Sequence, residues 1–242
     1  MDLHIDRACE QNEDVKTYGQ YCPIARAAEI LAERWTPIIV RNLLVGCHTF
    51  SDLYKGAPGI PKDTLTQRLD LLEQSGIIER KPSPTGRGSL YYLTPRGQEL
   101  KSVCDAMGNW GARWLEIRPE HIEPGYVLWA TSRLVDKERL PNERIIVRVD
   151  LRDQPRQKFW LLLQRPQPEL CTNYPGIPED LVVTTDSETL MNWHLRKFSY
   201  AQALRQKLIE VEGPRPLVMA FSTWIRPSPF AHVFSSGNVE AS

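Results

Sequence analysis

Residues 62 to 68 carry a group of side chains that can form directional hydrogen bonds or bind anions. They are Lys62, Thr64, Thr66, Gln67 and Arg68. An ammonium or guanidinium group can reach a phosphate or a guanine edge, and threonine and glutamine can bond bases or a nucleic-acid backbone. Leu65, Leu69 and Leu72 fall at helical spacing, so these polar residues flank the apolar side of an amphipathic helix. The alternative is an ordinary solvated helix face on which Arg68 pairs with an acid such as Glu73.

Further cations and hydroxyl groups lie on either side of this helix. Arg80 and Lys81 lead into PTGRG, a turn whose Arg87 can enter a minor groove or grip a phosphate. Thr49 and Ser51 stand at the start of the preceding short helix, where hydroxyl and backbone N–H groups can donate to a phosphate. Capping of that helix explains Ser51 equally well.

The elements that position these residues form a helix-turn-helix followed by a β-hairpin. FSDLYK predicts a short helix, GAPGIPK is a tight connector with two glycines and two prolines, and the amphipathic helix follows at once. IIERKPSP and SLYYLTP are β-rich runs on either side of PTGRG, which gives the shape of a wing. Two helices, in CPIARAAEILAERW and TPIIVRNLLVG, precede these elements.

A last helix of this region, within residues 95 to 117, carries a continuous apolar stripe. Its proposed contact residues are Val103, Met107, Trp110 and Trp114. This is much apolar surface for the terminal helix of a small domain, so we expect it to pack against the second domain. A stripe that only completes its own core is the alternative.

Composition limits the classes of function. Thirty basic and thirty acidic residues cancel, but residues 21 to 118 hold 13 basic against 10 acidic residues, so a nucleic-acid surface must be a local patch. We expect a cytoplasmic protein without a membrane segment. No arrangement of catalytic groups, metal ligands or phosphate-binding loops is recognisable, so we predict neither an enzyme nor a cofactor or metal site.

The five scattered cysteines suggest no disulfide framework. Cys22, at a helix entry, is a candidate redox site, although we favour a structural thiol.

Residues 119 to 242 have the mixed texture of an α+β domain. Strands are predicted in ERIIVRVDLRD, QKFWLLLQRP and DLVVTTD. Helices are predicted in VLWATSRLVDKERL, in the amphipathic region SETLMNWHLRKFSYAQALRQKLIEVEG and in PRPLVMAFSTWI. An aromatic-rich set could line an adaptable cavity: Trp160, Leu162, Met191, Trp193, Phe198, Phe221 and Trp224. Such residues are more often plain core. His194 beside them can contact a ligand head group, although a lone histidine in a helix usually has no functional role.

These segments resemble two known families. Residues 21 to 114 resemble the HxlR-type winged-helix regulators in CPIARAAEILAERW, PGIPKDTLTQRLDLLEQSGIIER, YYLTPRGQEL and NWG. The match departs from the family at Pro61, where a serine is usual, and in the wing. Residues 143 to 225 resemble a sterol carrier protein type-2 domain, whose α+β fold encloses an apolar pocket. The predicted organisation is a flexible arm (1 to 20), a winged helix-turn-helix domain (21 to 118) and a sterol-carrier-like domain (119 to 242).

The resemblances imply a DNA-binding transcription regulator. Its partners would be a palindromic double-stranded operator, a second copy of the chain and a hydrophobic small-molecule effector. A rival interpretation, which the neutral net charge favours, is a lipid-binding or carrier protein whose winged helix serves as a protein-interaction module. In a third, the second domain has lost its pocket and only supports the dimer.

Overall fold

The computed structural model describes residues 17–84 and 86–236, which form two compact units, one ending at Leu100 and one beginning at Lys101. Most of the predicted flexible arm, residues 1 to 16, lies outside this description. Its last residues form coil, and the Thr17 hydroxyl donates to Glu29 at 2.8 Å. No helix within the described ranges is long and apolar enough to cross a bilayer.

The first unit contains a helix-turn-helix and a two-stranded wing. Its elements are α1 (Pro23–Leu31), α2 (Thr36–Leu44), α3 (Phe50–Lys55), α4 (Lys62–Gln74), β1 (Ile78–Pro82), β2 (Ser89–Leu93) and α5 (Pro95–Gln98). Leu65, Leu69 and Leu72 of α4 are completely buried, as their spacing predicts. β1 and β2 pair antiparallel from Ile78 opposite Leu93 to Pro82 opposite Ser89. The predicted winged helix-turn-helix is therefore confirmed.

The second unit is an α+β domain that also includes a long helix from the end of the predicted first domain. Its elements are α6 (Leu100–Trp114), α7 (Pro124–Arg133), β3 (Ile145–Leu151), β4 (Lys158–Leu163), β5 (Glu169–Cys171), β6 (Leu181–Thr185), α8 (Ser187–His194), α9 (Tyr200–Arg205), β7 (Glu210–Glu212), α10 (Arg215–Ala220) and α11 (Ala231–Ser236), with 3₁₀ turns at 119–121 and 221–224. The α+β character is confirmed. The short strands β5 and β7 were not predicted, because three residues are too few to show a period of two.

The five strands of the second unit form one mixed sheet in the order β5-β4-β3-β6-β7. β3 runs parallel to β6, and the other neighbours are antiparallel. Alternation along β3 sends Val147 and Val149 into the main core, whereas Ile146 joins a small cluster on the opposite face. The helical side of the sheet therefore holds the larger core, and the other face carries only a small apolar patch.

His194, at the end of α8, is a satisfied core histidine. The Thr131 hydroxyl donates to the Val127 carbonyl at 2.8 Å, so it accepts the Nδ1–H of His194, which lies 2.9 Å away. Burial, reinforced by the nearby Arg196 guanidinium, lowers the pKa of His194 to about 4. The neutral imidazole is thus part of the folded core.

We expect the second unit to lose stability in acid through His194. The folded-state pKa lies below the usual value near 6.5, so the unfolded chain binds the extra proton, and stability falls as pH drops from about 6.5 towards about 4. Between pH 7 and about 4.5 the loss from this group amounts to about 2–3 kcal/mol. Urea unfolding at several pH values measures it. His194→Gln keeps an amide donor for Thr131 without titrating, and its stability should fall less over the same range; equal slopes would contradict the assignment.

Candidate nucleic-acid interface

The N-terminal turns of α4 expose the polar side chains that the sequence singled out. Lys62, Thr66 and Gln67 are exposed, whereas Thr64 and Arg68 are half-buried. Thr66 Oγ1 donates to the Lys62 carbonyl at 3.1 Å, and Lys62 Nζ lies 5.8 Å from the centre of the Tyr54 ring. The exposed face of these turns therefore combines one ammonium group with hydroxyl and amide groups that can donate and accept.

Arg68 does not form the ion pair considered from the sequence. Its guanidinium donates to Glu33 at 2.9 Å, and Glu33 lies in the turn after α1. Glu73 instead binds Arg80 of the wing at 3.2 Å, and Asp70 binds the same guanidinium at 2.5 Å. The predicted pairing of Arg68 with Glu73 is therefore wrong, because Glu73 pairs with Arg80.

Arg80 links the wing to α4. Its hydrogen bond to Asp70 raises the pKa of Arg80, and the charges of Glu73 and Asp70 act in the same direction. Its guanidinium also lies 5.2 Å from the centre of the Tyr91 ring. These contacts fix the position of β1 against α4. The main role of Arg80 in this structure is therefore to position the wing, and its guanidinium is not free to bind a phosphate.

The remaining wing cations differ in how they are held. Lys81 pairs with Glu79 at 2.6 Å, and its ammonium lies 5.2 Å from the centre of the Tyr92 ring. Arg87 is exposed in the turn between β1 and β2, and within the described ranges its guanidinium has no ion pair or hydrogen bond. Gly86 and Gly88 on either side have φ angles of +72° and +76°, which glycine adopts without strain. Arg87 thus projects from a tight turn.

Thr49, not Ser51, caps α3. Thr49 Oγ1 accepts from the Asp52 backbone N–H at 3.0 Å and donates to Asp52 Oδ2 at 2.9 Å. The helix begins two residues earlier than the capping interpretation of Ser51 requires, so that interpretation is wrong. Ser51 is exposed in the first turn of α3.

The sequence interpretation missed the carboxylates that lie among these cations. α4 contains three carboxylates and two cations, and Glu33 adds another acid beside Arg68. The spacing of Asp63 and Asp70 within a helix pattern was visible in the sequence. The contact of Asp70 was not, because its partner Arg80 comes from a different element.

Helix α6 exposes its predicted stripe. The exposed fractions of Met107, Trp110 and Trp114 are 52, 59 and 68%, and that of Val103 is 40%. Helix α1 likewise buries none of its residues, and Ile24 is 80% exposed. Cys22, which precedes α1 at its N-cap position, is half-buried and makes no side-chain capping bond.

The sheet of the second unit divides the predicted ligand-binding residues into two groups. Met191, Trp193, Phe221 and Trp224 belong to the main core, with Phe198 packed against it. Trp193 stacks on Phe221 at 5.8 Å between ring centres. Trp160 and Leu162 belong to the small cluster on the other face of the sheet. One cavity cannot be lined by both groups, because the sheet lies between them.

A shallow groove of about 640 Å³ opens beside the larger group. It is lined by Arg196, Lys197, Phe198, Ser199, Tyr200, Ala201, Gln202, Met219 and Ser222. The Arg196 guanidinium donates to the Ile225 carbonyl at 2.6 Å, and burial raises the pKa of Tyr200 to about 12. Of the predicted ligand-binding residues, only Phe198 reaches this groove.

In the parts of the chain that the structure describes, no three His, Cys, Asp or Glu side chains are grouped to hold a metal ion.

Comparison with known proteins identifies the N-terminal part of the chain. The family model described as HxlR-like helix-turn-helix matches residues 30–119. An uncharacterized HTH-type transcriptional regulator of Synechocystis, sll1512, is 37% identical over 99 residues, which are 40% of this chain and 73% of that protein. In Bacillus subtilis, the uncharacterized HTH-type transcriptional regulator YvaP is 30% identical over 40% of this chain and 93% of its own length, and the HTH-type transcriptional regulator YodB is 33% identical over 39% and 87%. The chain therefore belongs to the HxlR-like helix-turn-helix family and is a DNA-binding transcriptional regulator.

Proposed function

We propose that the chain acts as a homodimer that binds a palindromic operator through α4 and the wing and responds to a hydrophobic small molecule. The observation that carries the DNA contact is the exposed face of Lys62, Thr66 and Gln67, with Arg87 projecting from the wing of the same unit. In helix-turn-helix proteins the N-terminal turns of the second helix approach base edges. The exposed polar side chains on the N-terminal turns of α4 are placed where such contacts to base edges would form.

The ion pairs of the free unit determine how strongly salt should affect binding. Lys62 and Arg87 make no ion pair within the described chain, whereas Arg80 and Lys81 are held by carboxylates. If Lys62 and Arg87 alone neutralise phosphates, a dimer makes four such contacts and affinity falls about 10²-fold between about 50 and about 200 mM salt. If all four cations of each protomer did so, the fall would be about 10⁴-fold. The ion pairs favour the smaller value.

Fluorescence anisotropy tests this proposal on a duplex selected from a random library. We expect specific binding with the weaker of the two salt slopes, and we expect the variant Lys62→Ala, Arg87→Ala to lose most of that slope. Lys101→Ala removes a cation that is exposed on α6 and paired with Asp105, so it serves as the control. Failure to select any sequence, even at low salt, would contradict DNA binding by this surface.

Dimerisation is proposed to use the apolar stripe of α6. Four large side chains exposed on one side of a helix are costly in water, and a C2 interface would bury the same stripe on both copies. Two identical protomers match two half-sites of a palindrome.

The second unit is proposed to be the effector domain, with the sterol-carrier-like organisation that the sequence resembles. Its support is the α+β fold and the cluster of Met191, Trp193, Phe221 and Trp224 beneath the helices. Phe198 connects that cluster to the open groove. Native mass spectrometry of the purified protein tests this role. A retained hydrophobic molecule supports it, whereas a ligand-free domain that binds no lipid extract favours a purely supporting role.

A structural link between α6 and the effector domain supports coupling. A Cβ at Gly108 would lie 2.2 Å from Phe230 Cζ, so the Phe230 ring packs directly on the α6 backbone. The same C-terminal segment, residues 224 to 234, is anchored in the domain: the Asp136 N–H donates to the Trp224 carbonyl at 2.7 Å, and Phe234 packs against the main core. A shift in that core can reach the dimerisation helix through this segment.

We expect Phe230→Ala to loosen α6 from the rest of the second unit. Removing a half-buried ring that contacts the α6 backbone should cost about 1–3 kcal/mol of local stability. Hydrogen exchange of residues 101 to 114 should accelerate, and the dimer should dissociate more readily. Met219→Ala, which truncates a 66% exposed side chain, should change neither quantity. Unchanged exchange in α6 would contradict the link.

The rival function, a lipid carrier with a protein-binding winged helix, is favoured only by the zero net charge. It predicts that salt has little effect on any binding to duplex DNA and that lipid is retained. The salt titration above separates the two functions. The structural role favoured for Cys22 stays a prediction. Hydrogen peroxide treatment followed by mass spectrometry tests the alternative, a redox site.

A further inference from the structure

Asp63 stands out on the recognition surface because its charge is the wrong sign for DNA. It lies in the first turn of α4, is exposed, and has no ion pair or hydrogen bond to its carboxylate anywhere in residues 17–84 and 86–236. The other two acids of α4, Asp70 and Glu73, are both bound by Arg80. Asp63 is therefore the one carboxylate of this helix that remains available.

Asp63 does not serve as a helix cap. The N-cap residue of α4 is Pro61, which has no side-chain hydrogen bond, and the Asp63 carboxylate accepts none of the free N–H groups of the first turn. A general attraction to the positive end of the helix remains, and it stabilises an exposed acid by about 0.3–1 kcal/mol. That effect does not require Asp63 to face outward beside Lys62 and Gln67.

The position of Asp63 brings it to the bases when α4 enters a major groove. Asp63 and Gln67 are four residues apart, so they lie one above the other on the exposed side of the helix. A carboxylate among phosphates is unfavourable unless it meets a hydrogen-bond donor. The donors in the major groove are the exocyclic amines of cytosine and adenine, and a carboxylate typically accepts from cytosine N4.

We propose that Asp63 is a specificity-determining residue that accepts a hydrogen bond from the N4 amine of a cytosine in each operator half-site. This inference rests on the proposed use of α4 as the recognition helix. Asp63 rejects guanine and thymine at that position, because each presents an acceptor oxygen to the carboxylate. The cations supply most of the affinity for DNA, and Asp63 lowers the affinity for sites that lack the cytosine.

Selection from a random duplex library with the full-length protein tests the assignment. The wild-type chain should select cytosine at one position of each half-site, with affinity at least about five-fold lower for guanine and for thymine there. Asp63→Asn should shift that position towards adenine, because an amide pairs with adenine N6 and N7. Asp63→Ala should lose the preference at that position and bind random DNA more tightly. Glu116→Gln removes one charge from an 81% exposed residue and should leave the selected sequence unchanged.

The outcomes separate this inference from the proposed function. If the wild-type chain selects no sequence, the proposed operator binding fails. If it selects an operator and both Asp63 variants select the same bases at every position, operator binding stands and the role of Asp63 is overturned. Circular dichroism of each variant shows whether α4 stays folded, and Asp63→Glu, which keeps the carboxylate, should retain the cytosine.

Discussion

Trp110→Asp is expected to convert the proposed homodimer to monomer and to lower operator affinity about 100-fold or more. Trp110 is at the middle of the α6 stripe and 59% exposed in the single chain, so an acid there costs the free chain little. In the dimer the same acid would be buried among Met107, Trp114 and their copies without a partner. Loss of the second half-site removes the gain of about 10²-fold or more that linked binding provides.

Sedimentation velocity and anisotropy on the same samples measure the two effects together. Lys101→Asp places an acid on the opposite side of α6, where the Lys101 side chain is 66% exposed, and it should leave the dimer intact. A Trp110→Asp chain that stays dimeric would show that α6 does not form the interface. A monomer with full operator affinity would instead show that the dimer is not required for DNA binding.

The first unit could be predicted well because its signals are local. The i, i+4, i+7 leucines of α4 fix its buried side, and the PTGRG turn fixes the hairpin. The ion pairs between α4 and the wing could not be predicted, since Arg80 reaches back ten residues to Asp70 across a strand boundary. Side-chain partners across elements depend on packing, which a periodic pattern does not contain.

The second unit shows where pattern reasoning stops. The KFWLLL strand is apolar on both faces, so alternation gave no sign that Trp160 and Leu162 would separate from Phe159 and Leu161. The predicted ligand set therefore combined residues from two sides of a sheet. In β3, by contrast, Arg148 and Asp150 mark the more polar face, so the sequence alone predicts which side chains of that strand face the core. The proposed effector site accordingly uses only the residues beneath the helices.

Gly97 is the position in the first unit where a single methyl group should do the most damage. A Cβ at Gly97 would lie 2.1 Å from the Ile77 carbonyl oxygen and 2.9 Å from a methyl carbon of Leu93. The Ile77 carbonyl also accepts from the Thr94 N–H at 3.0 Å. α5 thus packs against the segment that joins α4 to the wing, and the contacting atom is backbone, which cannot rotate away.

We expect Gly97→Ala to destabilise the first unit by at least about 2–3 kcal/mol and to weaken operator binding in parallel. The methyl group must push α5 away from Ile77, which disturbs the junction between the recognition helix and β1. Gly111→Ala is the matched control: its nearest neighbour would be Leu115 at 3.9 Å, so the same methyl group should stabilise helix α6 by up to about 1 kcal/mol. Hydrogen exchange resolves the two units separately. Equal protection of the first unit in wild type and Gly97→Ala would show that the close approach of α5 to Ile77 does not hold the wing in place.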